Sequence, residues 1–119
     1  MKLLTQSQID QLLENGRVNA AHIGKDGKTE DFKPVVKLFC PWTDAVWLIS
    51  ELNPDDPDLA FGLCDLGFGC PELGDVRLSE LESVTGPMGL KVERDLQFTA
   101  NATLSEYAAE AQRIGAIVA

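Results

Sequence analysis

The strand-like segments of this chain follow one another too closely for helices to cross between them. Segments rich in β-forming residues lie at 35–40, 45–51, 59–65, 75–78 and 91–98. A parallel pair of strands needs a crossover of a dozen or more residues, usually a helix, whereas antiparallel strands are joined by short turns. The chain is therefore predicted to form a mainly antiparallel sheet of four to five strands.

A helix is predicted at each end of the chain. Thr5 and Gln8 form a capping box ahead of an apolar stripe, and Gly16 stands where such a helix is expected to stop. Thr103 and Glu106 form a second capping box before the last helix. With the strands between them, this order predicts one α+β domain over the whole chain, built as two layers with both helices on one face of the sheet.

The connections carry their own signals. The polar stretch 15–34, with a turn signal at 25–28, is predicted to be the most mobile part of the chain. Two prolines and three aspartates at 53–58 predict a turn without regular structure. Ser79 and Glu82 form a third capping box, which predicts one helical turn.

Length and hydropathy favour one domain in the cytoplasm. At 119 residues the chain buries about two-thirds of its unfolded surface, enough for a single core. It contains no run of about 18 apolar residues, and polar residues follow Leu4 at once, so neither a spanning helix nor a signal peptide is predicted.

Negative charge is concentrated in the middle of the chain. The net charge is -9, and residues 51–82 hold nine acids against the single base Arg77. This field disfavours direct binding to nucleic acid or to anionic membranes. Two interpretations stay open: the acids keep the protein soluble, or they form a docking face for a basic protein partner, in a sharper variant by imitating a row of phosphates. The candidate contact face consists of Asp55, Asp56, Asp58, Asp65, Glu72 and Asp75.

The metal-ligand and nucleophile patterns are weak. Five residues separate Cys64 from Cys70 and the only histidine, His22, is remote, so no metal or other cofactor is predicted. Cys40 follows apolar residues at strand spacing and is expected to be a small buried hydrophobe. No catalytic residue is assigned, and the balance is against an enzyme.

Arg94 conflicts with its surroundings. Strict alternation through 91–98 places it on the same face as Val92 and Leu96. A buried, unpaired guanidinium costs several kcal/mol, so Arg94 must either pair with a carboxylate or reach an opening. A structural ion pair and a contact with a substrate or partner both remain open. The candidate partners are Glu51, Asp65, Glu80 and Glu82.

Two stretches carry a resemblance to a known family. They are Leu78-Ser79-Glu80-Leu81-Glu82-Ser83 and the segment 86–98, which contains Gly-Pro-x-Gly-Leu and Glu-Arg-Asp-Leu-x-Phe. The chain resembles small bacterial proteins of unknown function that occur on plasmids and other mobile elements. The resemblance implies a cytoplasmic accessory protein and no particular reaction. It singles out one candidate functional or structural cluster: Glu80, Glu82, Glu93, Arg94 and Asp95.

We therefore expect a non-enzymatic module that binds another protein through an acidic face. The alternative is a small-molecule-binding domain or enzyme with a pocket around Arg94 and neighbouring carboxylates.

Overall fold

The protein folds around one five-stranded sheet. The computed structural model describes residues 3–23 and 29–119. Its elements are α1 (Gln6–Ile23), β1 (Val36–Phe39), β2 (Val46–Asn53), β3 (Asp56–Asp65), β4 (Glu72–Arg77), α2 (Leu78–Ser83), β5 (Glu93–Arg94) and α3 (Leu104–Ile114), with a 3-10 turn at Pro87–Gly89. The strand order is β4-β3-β2-β1-β5, with antiparallel pairing throughout. The α+β class, the antiparallel sheet and the terminal helices are confirmed.

The two terminal helices pack on opposite faces of the sheet. Along β2, Trp47 and Ile49 join the core that contains Leu12 of α1, whereas Leu48 joins the core that contains Leu104 of α3. The sheet is therefore the middle of three layers, where one helical layer was expected. The reason is visible in β2, whose consecutive apolar residues are typical of a strand covered on both faces.

α1 is longer than its sequence pattern predicted. Thr5 and Gln8 form the expected capping box, with reciprocal bonds of 3.0 and 3.1 Å. The helix then passes through Gly16 instead of ending there. A Cβ on Gly16 would lie 1.8 Å from the carbonyl oxygen of Leu52, so glycine is needed because helix and strand approach closely. The turn signal at 25–28 lies outside the described residues.

β3 begins earlier than expected, at Asp56, and includes a proline. Leu52 pairs with Ala60 but Asn53 pairs with Asp56, so residues 57–59 have no partner on β2. Pro57 lies in this irregularity, where no ladder amide is required. The prediction that 53–58 lacks regular structure is therefore wrong for its second half.

The last predicted strand is reduced to Glu93 and Arg94. Val92 is buried as expected, but Leu96 is 81% exposed. The carboxylate of Asp95 accepts the N–H of Gln97 at 2.9 Å, a local turn that ends the strand. The alternation predicted through 91–98 therefore stops at Arg94.

The helices also settle the remaining capping predictions. The capping box of Thr103 and Glu106 is confirmed at the start of α3. The proposed box of Ser79 and Glu82 is wrong, because α2 begins at Leu78 and Ser79 already lies within it. Among the described helices, none combines the length and hydropathy needed to cross a bilayer.

Candidate functional site: an acidic cleft

A cleft of about 710 Å³ opens at one end of the sheet. Its walls are the second half of α1, the segment before β1, the β2–β3 hairpin, β4 and the start of α3. No Lys, Arg or His from the described part of the chain lines it. We call it the acidic cleft after its five carboxylates, Glu30, Asp31, Glu51, Asp55 and Asp75.

A β-bulge aims Glu51 into the acidic cleft. Ile49 pairs with Gly62 but Glu51 pairs with Phe61, so Ser50 is one extra residue on β2. The bulge turns Glu51 onto the face of Phe61, which in turn lies opposite Asp75 of β4. Glu51, Phe61 and Asp75 therefore form one row across three strands.

Asn19 of α1 holds the Glu51 carboxylate in place through a hydrogen bond. Its amide nitrogen donates to the Glu51 carboxylate and, at 3.3 Å, to the backbone oxygen of Glu30. Its oxygen accepts the N–H of Glu30 at 2.7 Å. Asn19 is buried, as is Asn15 one helical turn earlier, which donates to the carbonyl of Ser50 at 2.9 Å. These amides join α1 to the bulge and hold the segment before β1.

The surroundings of Glu51 in the acidic cleft disfavour the ionised form of its carboxyl. Burial raises the pKa of the Glu51 carboxyl above its ordinary value, and the negative charge of Asp75 acts in the same direction. The hydrogen bond from Asn19 opposes both effects. An incoming cation would relieve the repulsion between the two carboxylates and favour the ionised form of Glu51.

Asp31 has a structural role in the wall. Its carboxylate accepts the N–H of Ser105 at 3.0 Å and also the Ser105 hydroxyl, at the first turn of α3. Burial opposes its ionisation, but these hydrogen bonds hold the pKa of Asp31 below its ordinary value. By contrast, the carboxylates of Asp55 and Asp75 make no hydrogen bond or ion pair with any other described residue.

Apolar side chains form the rest of the lining. They come from the segment before β1, from β3 and β4, and from the start of α3, and they are Phe32, Leu59, Phe61, Leu73 and Leu104. A surface that combines apolar side chains with carboxylates suits a lysine or arginine side chain, whose stem is apolar and whose tip is charged. Phenylalanine rings can add a cation–π contact.

The predicted acidic contact face is only partly assembled. Asp55 and Asp75 line the acidic cleft, and Glu72 is exposed at the start of β4. Asp56 instead pairs with Arg77 at 3.0 Å. Asp58 lies 3.7 Å from the same guanidinium.

Asp58 and Asp65 stabilise the fold directly. The Asp58 carboxylate accepts the Ser79 N–H at 2.9 Å and its hydroxyl at 2.7 Å, which caps α2 and, with Arg77, lowers the pKa of Asp58. Asp65 is 3% exposed and accepts the N–H groups of Gly67 and Ile117. Asp65 therefore lies inside the fold, where it holds the C-terminal tail, and not on a contact surface.

The cluster singled out by the family resemblance does not converge on the acidic cleft. Arg94 donates to the backbone oxygen of Leu3 at 2.8 Å, across the edge of β1, and does not line the cleft. Asp95 lies 3.6 Å from Lys37. Glu80 and Glu82 are exposed on α2. Glu93 is partly buried opposite Phe39.

The glycine-rich part of the same stretch is a tight loop packed on Trp42. The N–H of Gly86 donates to the carbonyl of Leu90 at 2.7 Å. A Cβ on Gly86 would lie 2.4 Å from the Trp42 ring, so the absence of a side chain permits this contact. Met88, at the tip, is fully exposed and has a φ of 58°, a strained value for a residue with a side chain.

All three cysteines of the chain are free thiols and form no disulfide. Cys40 is buried, which confirms its expected role as a small hydrophobe, and burial raises the pKa of the Cys64 thiol. Within residues 3–23 and 29–119, no three His, Cys, Asp or Glu side chains come together in a way that could hold a metal ion.

From the sequence, Glu51 was expected only as a partner of Arg94, and Asn19 was not expected at a site. Two signals were available: an acid within the apolar run of β2, and two asparagines four residues apart on one helix face. Buried amides of this kind must be hydrogen-bonded, so they indicate a polar contact with the sheet.

Comparison with known proteins places the chain in one family. A family model with the description "Protein of unknown function (DUF2958)" matches residues 3–118. No curated protein matches the chain. No solved structure matches it either.

Proposed function

The chain belongs to this family of unknown function, and we propose that it is a non-enzymatic binding module whose acidic cleft receives a basic side chain of a protein partner. One observation carries the proposal. Glu51 and Asp75 flank Phe61 in a single row, in a cleft that no basic residue of the described chain lines. A lysine or arginine would provide the missing positive charge and cover the ring.

Charge supports the choice of a basic partner. The net charge of -9 steers cations toward the protein, and steering of this kind weakens as salt is added. The carboxylates of Asp55 and Asp75 need no rearrangement before a cation binds, because they hold no hydrogen bond or ion pair within the described structure. Imitation of a phosphate row is less favoured, since backbone amides already engage Asp58 and Asp65.

The wider setting belongs to the same proposal. The resemblance to proteins of plasmids and other mobile elements supports an accessory role in the cytoplasm, next to basic proteins that handle nucleic acid. In this setting the protein would bind the partner and not the nucleic acid.

A small organic cation is the second candidate ligand. The cleft volume of about 710 Å³ falls within the usual size of small-molecule sites. A half-buried carboxyl with a raised pKa, such as that of Glu51, is also typical of such sites. This candidate replaces the pocket expected around Arg94, which does not line the cleft.

The proposal is tested with a fluorescein-labelled peptide of alternating Lys and Ser, against a peptide in which Glu replaces Lys. We expect the Lys peptide alone to bind, and its affinity to fall about tenfold or more between low and high salt. Glu51→Gln should weaken binding about tenfold, the equivalent of about 1.4 kcal/mol.

Glu82→Gln is the matched control, because it removes the same charge from the opposite face of the sheet. It should change affinity less than about twofold. Equal losses in the two variants would mean that net charge alone attracts the peptide, and the acidic cleft would not be the site. Binding of spermidine without binding of the Lys peptide would favour the second candidate.

A further inference from the structure

The edge of the sheet beside the acidic cleft is open. Within the part of the chain that the structure describes, β4 pairs with β3 alone, and no backbone hydrogen bond reaches its outer side. It is six residues long and mostly exposed. An unpaired strand of this kind presents a row of N–H and C=O groups that another extended chain can complete.

The open edge and the acidic cleft share side chains. Leu73 and Asp75 of β4 line the cleft, and both lie on the sheet face that carries Phe61 and Leu63. Between them, Gly74 faces the other side of the sheet, where no atom of the described structure lies within 4 Å of the position of a Cβ.

Resting on the proposed function, we propose that the partner binds as an extended basic segment that adds a sixth strand along β4. Neighbouring strands lie about 4.8 Å apart, so a side chain opposite Asp75 on the cleft face lies next to its carboxylate. Main-chain hydrogen bonds hold the segment, and the acidic cleft selects its side chains.

The side chains of Leu73 and Asp75 on β4 indicate which residues the bound segment should carry. Leu73 and Asp75 are two residues apart, and side chains two apart on a strand lie on the same face. The complementary segment therefore carries an apolar and a basic residue two positions apart. The other face of the bound segment lies on the α1 side of the sheet. There β4 carries Gly74, which has no side chain, and the small side chain of Val76.

A second copy of this chain is a poor occupant. Each copy carries a net charge of -9, and pairing through β4 would bring two acidic clefts to one seam. Like charges at a seam raise the free energy of association. A basic segment meets the same edge with the opposite charge.

The test uses the full chain and a labelled octapeptide, Lys-Thr-Val-Thr-Lys-Thr-Val-Thr, which places Lys and Val on one strand face. Two further versions carry N-methyl groups, one at every Lys and Val and the other at every Thr. In an added strand, only alternate residues direct their N–H groups at the protein. We therefore expect one methylated version to bind at least about tenfold more weakly and the other to stay within about threefold of the parent.

Each outcome is decisive. If both methylated versions bind as well as the parent, or both lose affinity equally, the added strand is ruled out, while a loss of parent binding in Glu51→Gln would still support the acidic cleft. If the parent binds equally well to Glu51→Gln and to wild type, the proposed function fails instead. Dimerisation of the protein alone in sedimentation velocity, abolished by the peptide, would assign the edge to a second copy and overturn the proposal.

Discussion

Residues in the signature segment, which we define as residues 78–98, and residues in the acidic cleft make different kinds of contact. In the signature segment, Arg94 donates to Leu3, Gly86 packs on Trp42 and Ser79 donates to Asp58. Each of these contacts joins two parts of the chain. In the acidic cleft, Glu51 accepts a hydrogen bond from Asn19, but both Glu51 and Asp75 also face an opening.

The two regions also differ in how their residues are distributed along the sequence. The signature segment is continuous, so a motif can identify it. The carboxylates of the acidic cleft come from the segment before β1, from β2, from a hairpin turn and from β4. In this molecule the segment that carries the family resemblance belongs to the framework of the fold, whereas the proposed binding surface is assembled from scattered positions. Variants that separate stability from binding test this division.

The largest expected effect is that of Gly86→Ala. The added Cβ meets the Trp42 ring at 2.4 Å, and overpacking of this kind costs about 1 to 3 kcal/mol. Urea unfolding followed by tryptophan fluorescence should show the loss. Gly74→Ala is the control, because its Cβ meets no atom within 4 Å, and it should not destabilise the protein comparably. A Gly86→Ala protein with wild-type stability would show that the contact with Trp42 is not tight in solution.

Arg94→Met should have the next largest effect. The substitution keeps an apolar stem but removes the donor to the Leu3 carbonyl, and hydrogen bonds to charged groups contribute about 1.5 kcal/mol or more. The same urea titration measures the loss. Affinity for the Lys peptide should stay within about twofold of wild type, and a tenfold loss of affinity with unchanged stability would move Arg94 from the framework into the binding site.

Met88→Gly should stabilise the protein. Met88 has a φ of 58° and is fully exposed, so glycine relieves backbone strain without any loss of burial. Left-handed backbone costs a residue with a side chain about 1 kcal/mol. Met88→Ala, which keeps the strain, should be close to wild type. A destabilised glycine variant would mean that the methionine side chain makes contacts in solution that offset the strain.

The smallest effect is a pH dependence specific to Glu51. Its pKa is raised in the folded protein by burial and by Asp75, so folding favours the protonated carboxyl. This stabilising contribution is fully present below the unfolded-state pKa and is lost as pH rises through the folded-state pKa. Relative to Glu51→Gln, wild type should lose stability as pH rises above the ordinary pKa of a glutamate carboxyl, about 4.3, by less than about 1 kcal/mol because solvent screens a half-buried group. If the stability of wild type and that of Glu51→Gln changed in parallel with pH, the result would contradict the partial burial of the Glu51 carboxyl.

Local sequence patterns predicted local structure well. The capping boxes at Thr5 and Thr103 correspond to contacts within a few residues, and they were confirmed, as were the β-forming segments that became β1 and β2. The antiparallel sheet followed from the short connections alone. Two of the errors lie where a distant contact decides the outcome. Gly16 continues a helix because Leu52 lies against it, and α2 is capped by Asp58 of another element.

The acidic cleft was harder to predict, for the same reason. Asp55 and Asp75 were named as contact residues on charge alone, and both line it. Glu51 depends on the bulge at Ser50, which no local pattern announces, and its partner Asn19 lies 32 residues away in the chain. Charge identifies candidate surfaces, whereas the bulge and a long-range amide determine which carboxylate faces the opening.

The most direct test of this division is a two-dimensional amide NMR titration of the 15N-labelled wild-type protein with the Lys-Thr-Val-Thr octapeptide. It locates the contact surface without any substitution. We expect the largest shifts at Asn19, at Glu51 and along β4, with small shifts throughout residues 78–98. The largest shifts around Gly86 and Arg94, with none along β4, would contradict the account and make the signature segment the binding surface.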